Sequence, residues 1–553
     1  MNADIIVANA KVLTMDDVRS RAEAVAISGG EIVSCGAHDE VLPLKGPKTR
    51  VIDAQGGTVM PGFIEAHMHL FAGAAELDHL QLFGVNGFDN LRAAVRDYAR
   101  ERGNEPVLIA QGADYTVLGG RRVTRQDLDL IAPHQPFVMF APDHHTAWAN
   151  TAALEKAGIL KGRSIGAGNE IVMAEDGTAA GELREGEAFE PVMALSSSGN
   201  RHRLGLITGG EPDPPPTPAQ FEYDLATIKR GLEHCARHGI TSIHNMDGNL
   251  YTLKLLETLE RRGELLCRAR VPFHLKNFMP LGALEKASEM SRLYRSEKLS
   301  SGFVKIFVDG VLDSWTAVMI EDYADRPGWK GEPLFKAEQF KAAAIEADRR
   351  GLQVAVHAIG DGAVRIVLDG YEAARRENGA RDSRHRIEHI EVIHPNDIPR
   401  LAEFGVIASM QPPHPPGCHG LPLEPTISRI GPSRWPYSYA WNSLREAGAR
   451  LAFATDWPVS AIDPLWSVQS AMTRKLWRDG LPDQRQTLMQ ALKSYTADGA
   501  FTEFMERRKG RLKPGMLADL TVLSADLQAT DPEAIRDVRP VVTVCDGRVT
   551  YEA

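Results

Sequence analysis

Phe63-Ile64-Glu65-Ala66-His67-Met68-His69 is an apolar run with two histidines two positions apart. Strand side chains repeat every two residues, so His67 and His69 point to one side, where two imidazoles can share one metal or hold two adjacent ones. Alone, a His-x-His pair is weak, because most such pairs are solvated loop residues or partly buried polar groups. Further runs strengthen it. Lys305 lies in Phe303-Val304-Lys305-Ile306-Phe307-Val308, His357 in Leu352-Gln353-Val354-Ala355-Val356-His357, His389 in His385-Arg386-Ile387-Glu388-His389-Ile390, and Asp456 in Leu451-Ala452-Phe453-Ala454-Thr455-Asp456.

Outward from these runs, strands and helices alternate, which predicts a parallel α/β fold. Eight strands are expected at 63–67, 240–245, 270–274, 303–308, 353–357, 386–389, 405–410 and 451–455. Helical segments precede many of them; residues 221–238 carry Leu225, Ile228, Leu232 and Cys235 at helical spacing and stop at Gly239. Eight βα units fit a closed (β/α)8 TIM barrel, whose catalytic residues sit at strand C-terminal ends. His67, His69, His357, His389 and Asp456 all fall there.

The gap between the first two strands, about 71–220, is too long for a βα connection. It carries a helical pattern at 88–102, a capping-box start at Thr124-x-x-Asp127 and a strand-like run at 136–141. An inserted α+β domain over 71–225 is therefore expected, with a Pro-rich linker at 211–218. Residues 412–439 predict a loop over the active site. Both termini read as short strands (5–8, 24–27, 32–34 and 51–53; 519–523, 541–545 and 548–551), with a hairpin signal at Asp546-Gly547. Neither end can bury two faces alone, so 1–60 and 505–553 are expected to build one β-sandwich. Residues 61–70 supply the first barrel strand and 226–504 the rest.

At 553 residues the chain is long enough for two or three domains. A net charge of -10 without a basic run gives no support to a nucleic-acid or anionic-membrane partner. No segment approaches the roughly 20 apolar residues of a bilayer span, and the start Met1-Asn2-Ala3-Asp4 does not read as a signal peptide. Cys35, Cys235, Cys267, Cys418 and Cys545 are scattered and odd in number, which predicts reduced thiols in a cytoplasmic protein.

Other stretches follow the same order: Val59-Met60-Pro61-Gly62-Phe63, His145-Thr146-Ala147-Trp148-Ala149-Asn150, Lys305-Ile306-Phe307-Val308-Asp309-Gly310, Arg386-Ile387-Glu388-His389, Ser409-Met410-Gln411-Pro412, Thr455-Asp456-Trp457-Pro458 and Leu512-Lys513-Pro514-Gly515-Met516-Leu517-Ala518-Asp519-Leu520. With these, the chain resembles the amidohydrolase superfamily over nearly its whole length, in the amidohydrolase-3 branch that includes N-substituted formamide deformylase. The resemblance implies two divalent metals. His67, His69 and Asp456 would hold the more buried one, and His357 and His389 the more exposed one. Lys305 would lie between them as a carbamate (N6-carboxylysine). Zn suits this donor set best, and Mn, Fe or Co also fit. The resemblance also suggests a homodimer.

Lys305 has a bland alternative, a lysine snorkelling from a half-buried strand. Both faces of its strand are apolar, however, and a bare ammonium inside the barrel would be costly. Asp456 is expected to take the proton of the attacking water and return it to the leaving nitrogen; capping the turn before Trp457-Pro458 is compatible with that role. His145 is expected to contact the substrate or oxyanion, or to serve structurally, with His144 standing where relatives have Gly. Glu65 stands where relatives have Asp. Asp309, Trp315, Gln411, His414 and Trp457 are expected to line or support the substrate pocket.

The expected activity is hydrolysis of a non-peptide C–N bond in a small molecule, foremost a linear amide or N-substituted formamide. A cyclic-amide or carbamate hydrolase, or a deaminase, is the rival on the same scaffold. A catalytically inactive scaffold ranks below both, because the chain keeps every ligand type.

Overall fold

The computed structural model describes residues 2–119, 121–141, 146–166 and 169–553. The chain divides into two compact units, one of residues 1–70, 205–211 and 229–553, the other of 71–204 and 212–228.

The larger unit begins and ends in β-structure. One four-stranded sheet runs Glu31–Gly36, Ala24–Ser28, Ala3–Ala8, Lys45–Asp53. A six-stranded sheet runs Arg548–Glu552, Pro540–Cys545, Leu520–Leu523, Thr58–Pro61, Lys11–Leu13, Arg21–Ala22, so strands from both ends meet within it. Antiparallel pairing of Leu520 with Pro61 and of Val522 with Val59 joins the two ends directly. Ile5, Val7, Val25 and Ile27 from one sheet share a core with Val12, Val59, Leu520 and Val544 from the other. The final hairpin turns at Asp546 and Gly547, both at positive φ (56° and 68°), as a type I′ turn requires.

Its remaining strands form two parallel sheets. One is ordered Leu299–Ser300, Arg268–Arg270, Ile240–Asn245, Phe63–Met68; the other is Phe273–His274, Phe303–Phe307, Gln353–Ala358, Arg386–His389, Ile407–Met410, Arg450–Phe453. The strand expected at 270–274 is broken in two. Pro272 has no N–H to give a ladder, and the two halves pair with different neighbours: Arg270 with His244, and His274 with Lys305. At the far edge, Asp456 N–H donates to His67 O (3.1 Å) and His69 N–H to Trp457 O (2.8 Å). Glu65 adds a side-chain tie, accepting from Thr455 N–H and, at 2.9 Å, from Thr455 Oγ1. The parallel strands are buried on both faces and read as continuous apolar runs, as expected where helices cover a sheet. The Pro218–Arg237 helix matches its predicted spacing and ends before Gly239 at φ 75°.

The smaller unit has its own mixed sheet, ordered Glu170–Met173, Ala179–Arg184, Thr146–Ala149, Phe137–Phe140, Leu108–Gln111, Leu80–Gln81. Side-chain alternation sends Leu108, Ala110, Phe137 and Met139 to one core and Ile109, Val138 and Phe140 to another, so both faces are covered. The predicted capping box is present: Thr124 Oγ1 accepts from Asp127 N–H and starts the Arg125–Ile131 helix. Among the described residues, no helix is long and apolar enough to cross a membrane.

Candidate metal centre

The parallel strands bring His67, His69, Lys305, His357, His389 and Asp456 to one region, at or just beyond strand C-terminal ends (Lys305 sits mid-strand). Ring centroids lie 5.6 Å apart for His67 and His69, 4.8 Å for His67 and His389, and 4.5 Å for His357 and His389. Asp456 reaches into the group, with Oδ1 3.4 Å from His67 Nε2 and 3.3 Å from His69 Nε2, and Oδ2 3.8 Å from His389 Nδ1. His389 and Asp456 both sit at positive φ (80° and 63°). That conformation costs a non-glycine residue about 1–3 kcal/mol and clusters at functional sites.

Each imidazole has one nitrogen engaged. His67 Nδ1 lies 2.7 Å from Glu388 Oε2, His69 Nδ1 2.6 Å from Asp247 Oδ1, His389 Nδ1 2.8 Å from Gln411 Oε1, and His357 Nε2 3.0 Å from Gly310 O. These partners accept, so the ring nitrogen facing each carries the hydrogen. That leaves Nε2 of His67 and His389 and Nδ1 of His357 as lone-pair donors, the pattern by which outer carboxylates and carbonyls orient metal ligands, while His69 Nε2 faces Asp456 Oδ1 at 3.3 Å and would offer its lone pair only on giving up a proton. His67 Nε2 and Asp456 Oδ1 are buried without a hydrogen-bond partner. Donor atoms of His67, His389 and Asp456 lie within 4.8 Å of one another. A divalent cation fits this set.

The electrostatics agree. Burial holds His67 and His389 well below the usual imidazole range and His357 near 3, so all three are neutral ligands. Burial also opposes charge on His69, but Asp247 and Asp456 outweigh it and carry that ring up to about 10. Asp456 is pushed up by burial and pulled further down by His67, His69 and His414, ending well below the usual carboxylate range. In the metal-free chain an ionised Asp456 thus sits among three neutral imidazoles and a protonated His69.

Lys305 is fully buried, and its Nζ has no hydrogen-bond partner. It lies 4.7 Å from the Phe307 ring centroid, and burial lowers its ammonium to about 8. A lysine in this state has a larger neutral fraction near neutral pH than an ordinary one.

Glu388 is held by Arg386, whose Nη2 donates to Glu388 Oε2 at 2.9 Å and to Ser409 Oγ at 2.8 Å. Despite complete burial Glu388 stays below its ordinary range, with Arg386 and Lys305 the chief opposing charges. Glu388→Gln should weaken metal binding about 10–100-fold, read by competition with a chromophoric chelator. Unchanged affinity would mean that Glu388 does not orient His67.

The remaining expected site residues are distributed differently. Gln411 and His414 lie at the centre; His414 Nε2 is 3.8 Å from Asp456 Oδ2 and its ring stacks on His389 at 6.0 Å. Trp457 gives its backbone carbonyl to His69 N–H and packs its ring 5.6 Å from His234. Asp309 is fully buried and accepts from the N–H groups of Val318, Ile359 and Gly360, which shapes the loop below His357. Trp315 donates to Asp325 at 3.1 Å under the Arg429 guanidinium. His145, and His144 beside it, lie outside the described residues. Asp247 and Glu388 were not singled out from sequence. Their signal was there: a carboxylate two residues past the second strand, and one sharing strand parity with Arg386.

The amidohydrolase family pattern matches residues 50–551. The chain is 28% identical over 544 residues to Protein LONG AFTER FAR-RED 3 of Arabidopsis thaliana, covering 95% of this chain and 88% of that one. It is 27% identical over 569 residues to N-substituted formamide deformylase of Arthrobacter pascens, covering 99% and 98%. The crystal structure of an uncharacterized metal-dependent hydrolase from Pyrococcus furiosus superposes with a TM-score of 0.73 at 26% identity, over 96% of this chain and 99% of that one.

Proposed function

We propose that this chain, which belongs to the amidohydrolase family and is a metal-dependent hydrolase of it, uses a two-metal centre to hydrolyse a linear amide or N-substituted formamide. The observation that carries this reading is the set of four imidazoles, each with one nitrogen engaged by an oxygen, around His67 Nε2, Asp456 Oδ1 and the Lys305 amine, which are buried without a hydrogen-bond partner. The match to the formamide deformylase over nearly the whole of both chains supports the substrate class.

In this reading His67, His69 and Asp456 would hold one metal, and His357 and His389 the other. Lys305 joins them after its neutral amine attacks carbon dioxide and loses a proton, giving a two-oxygen anionic ligand. Divalent metals at such a site lower the pKa of water from about 15.7 to roughly 7 and polarise a carbonyl. Asp456 takes the proton of the attacking water and delivers it to the departing nitrogen, which needs protonation to leave as an amine. Its depressed pKa keeps it ionised and ready to accept. The sheets are read as one eight-stranded barrel, since they share the strand broken at Pro272 and Asp456 N–H meets His67 O across the other edge. Residues 71–225 are read as an insertion, and the two terminal segments as a β-sandwich. Five free, buried thiols fit a reducing, cytoplasmic setting.

Two metals per chain are expected by elemental analysis of active protein, with activity lost on chelation and regained on adding Zn. One metal per chain at full activity would leave a mononuclear hydrolase. A panel of N-substituted formamides, linear amides, lactams and aminopurines tests the reaction, and turnover confined to the last two would move the assignment to the rival chemistry.

A further inference from the structure

Next to the six ligand side chains the third strand carries a polar cluster that the reaction above does not use. His274 is fully buried; its Nδ1 faces Gly205 O at 2.9 Å, and its Nε2 has no partner. Two residues on, Lys276 donates to Leu206 O at 2.5 Å, and this is its one hydrogen bond among the described residues. Among those residues it has no ion pair. The carboxylate acting on it is Asp247, which spends Oδ1 on His69 and leaves Oδ2 buried and unpartnered. Phe307 ties this cluster to the metal centre. Lys276 Nζ and Lys305 Nζ lie 5.3 and 4.7 Å from its ring centroid, and His274 and His357 stack against it at 5.3 and 4.7 Å.

Burial lowers the Lys276 ammonium to about 7, so its charge is costly beside a site built for divalent cations, where bound metals would repel it as well. An anion between them removes the penalty. The free N–H groups of one ammonium match a carboxylate. Among the described residues, no arginine shares this cluster to contribute the planar fork that phosphate recognition favours.

We propose that Lys276 is a specificity-determining residue that binds a carboxylate of the substrate, so that the preferred substrates are N-formyl- or N-acyl-amino acids or similar amides bearing a carboxylate near the scissile bond. This rests on the C–N hydrolase reading. A neutral amide would leave Lys276 unpaired, and a cationic one would be repelled.

The test uses the metal-loaded full-length protein and a set of N-formyl- and N-acetyl-amino acids, each paired with its methylamide. Wild type should favour the acid of each pair at least about tenfold in kcat/KM. Lys276→Met should lower the acids about 10–100-fold, the span of one charge-assisted hydrogen bond, and leave the methylamides within about threefold. Lys276→Arg should keep part of the preference. Equal losses on both members of each pair would assign Lys276 to structure alone and overturn the proposal, as would a wild type without preference. Calorimetry with acetate, propionate and succinate supplies a readout independent of turnover. Carboxylates that bind Lys276→Met as tightly as wild type overturn the proposal even if amides are cleaved. Lys276-dependent binding without cleavage of any pair would count against the hydrolase reading instead.

Discussion

Lys305→Ala is expected to abolish turnover, with kcat/KM falling by more than the roughly 10²–10³ that loss of one electrostatic group costs an enzyme. The side chain is fully buried and its amine has no hydrogen-bond partner. Removing it breaks no hydrogen bond, and the stability cost is that of a small cavity and of the lost attraction to Glu388 and Asp456. If the amine carries a carbamate, its loss deprives both metals of a ligand at once, so metal content should fall with activity. Short carboxylic acids such as propionate should then restore part of both, by placing a carboxylate where the carbamate stood. The decisive measurement pairs elemental analysis with kcat/KM across a propionate titration. An alanine variant with wild-type activity and full metal would remove Lys305 from the centre.

Asp456→Asn separates metal binding from proton transfer. The amide can still offer one oxygen to a cation but cannot accept a proton, and a general base contributes about 10²–10⁴. A loss within that span with metal retained identifies Asp456 as the base; a larger loss accompanied by loss of metal means it is also an indispensable ligand. The comparison variant, His67→Ala, should lose metal first and activity as a consequence. The two outcomes are distinguished by measuring metal content on the same samples used for kinetics. Unchanged kcat on a substrate whose chemistry limits the rate would pass the proton role to His414, which lies 3.8 Å from Asp456.

The pH dependence of the metal-free protein's stability, read by thermal denaturation, should follow from the same groups. Asp456 is lowered in the folded chain, so its stabilising interactions are complete above the ordinary carboxylate range and are lost only as pH falls through its depressed value. His69, raised to about 10 by Asp247 and Asp456, has the opposite sign: its proton stabilises the metal-free fold below the ordinary imidazole value and the benefit fades as pH rises toward 10.

The α/β fold was legible because apolar runs of strand length recur between helical patterns, and the six candidate ligand positions were legible because five stand near the end of such a run and Lys305 stands within one. Strand parity alone paired His67 with His69. Parity does not report what touches the far side of a ring, so Glu388 and Asp247 emerged only when tertiary structure brought together residues from distant strands. The break at Pro272 was visible as a proline, but that its two flanks would choose different neighbours depends on sheet geometry. Asp309 was expected to line or support the pocket; that three backbone N–H groups engage its carboxylate depends on loops brought together by the fold.

The interleaving of terminal strands has a consequence for synthesis. Thr58–Pro61 runs to within two residues of the strand that bears His67, yet it has Leu520–Leu523 as a neighbour in the sheet. A nascent chain therefore carries an open edge, beside its first metal ligands, until Leu520–Leu523 has left the ribosome, and such edges recruit other strands. Chains released before residue 520 should be aggregation-prone and unable to retain metal. The C-terminal strands thus double as a completeness check, keeping truncated chains out of the folded pool.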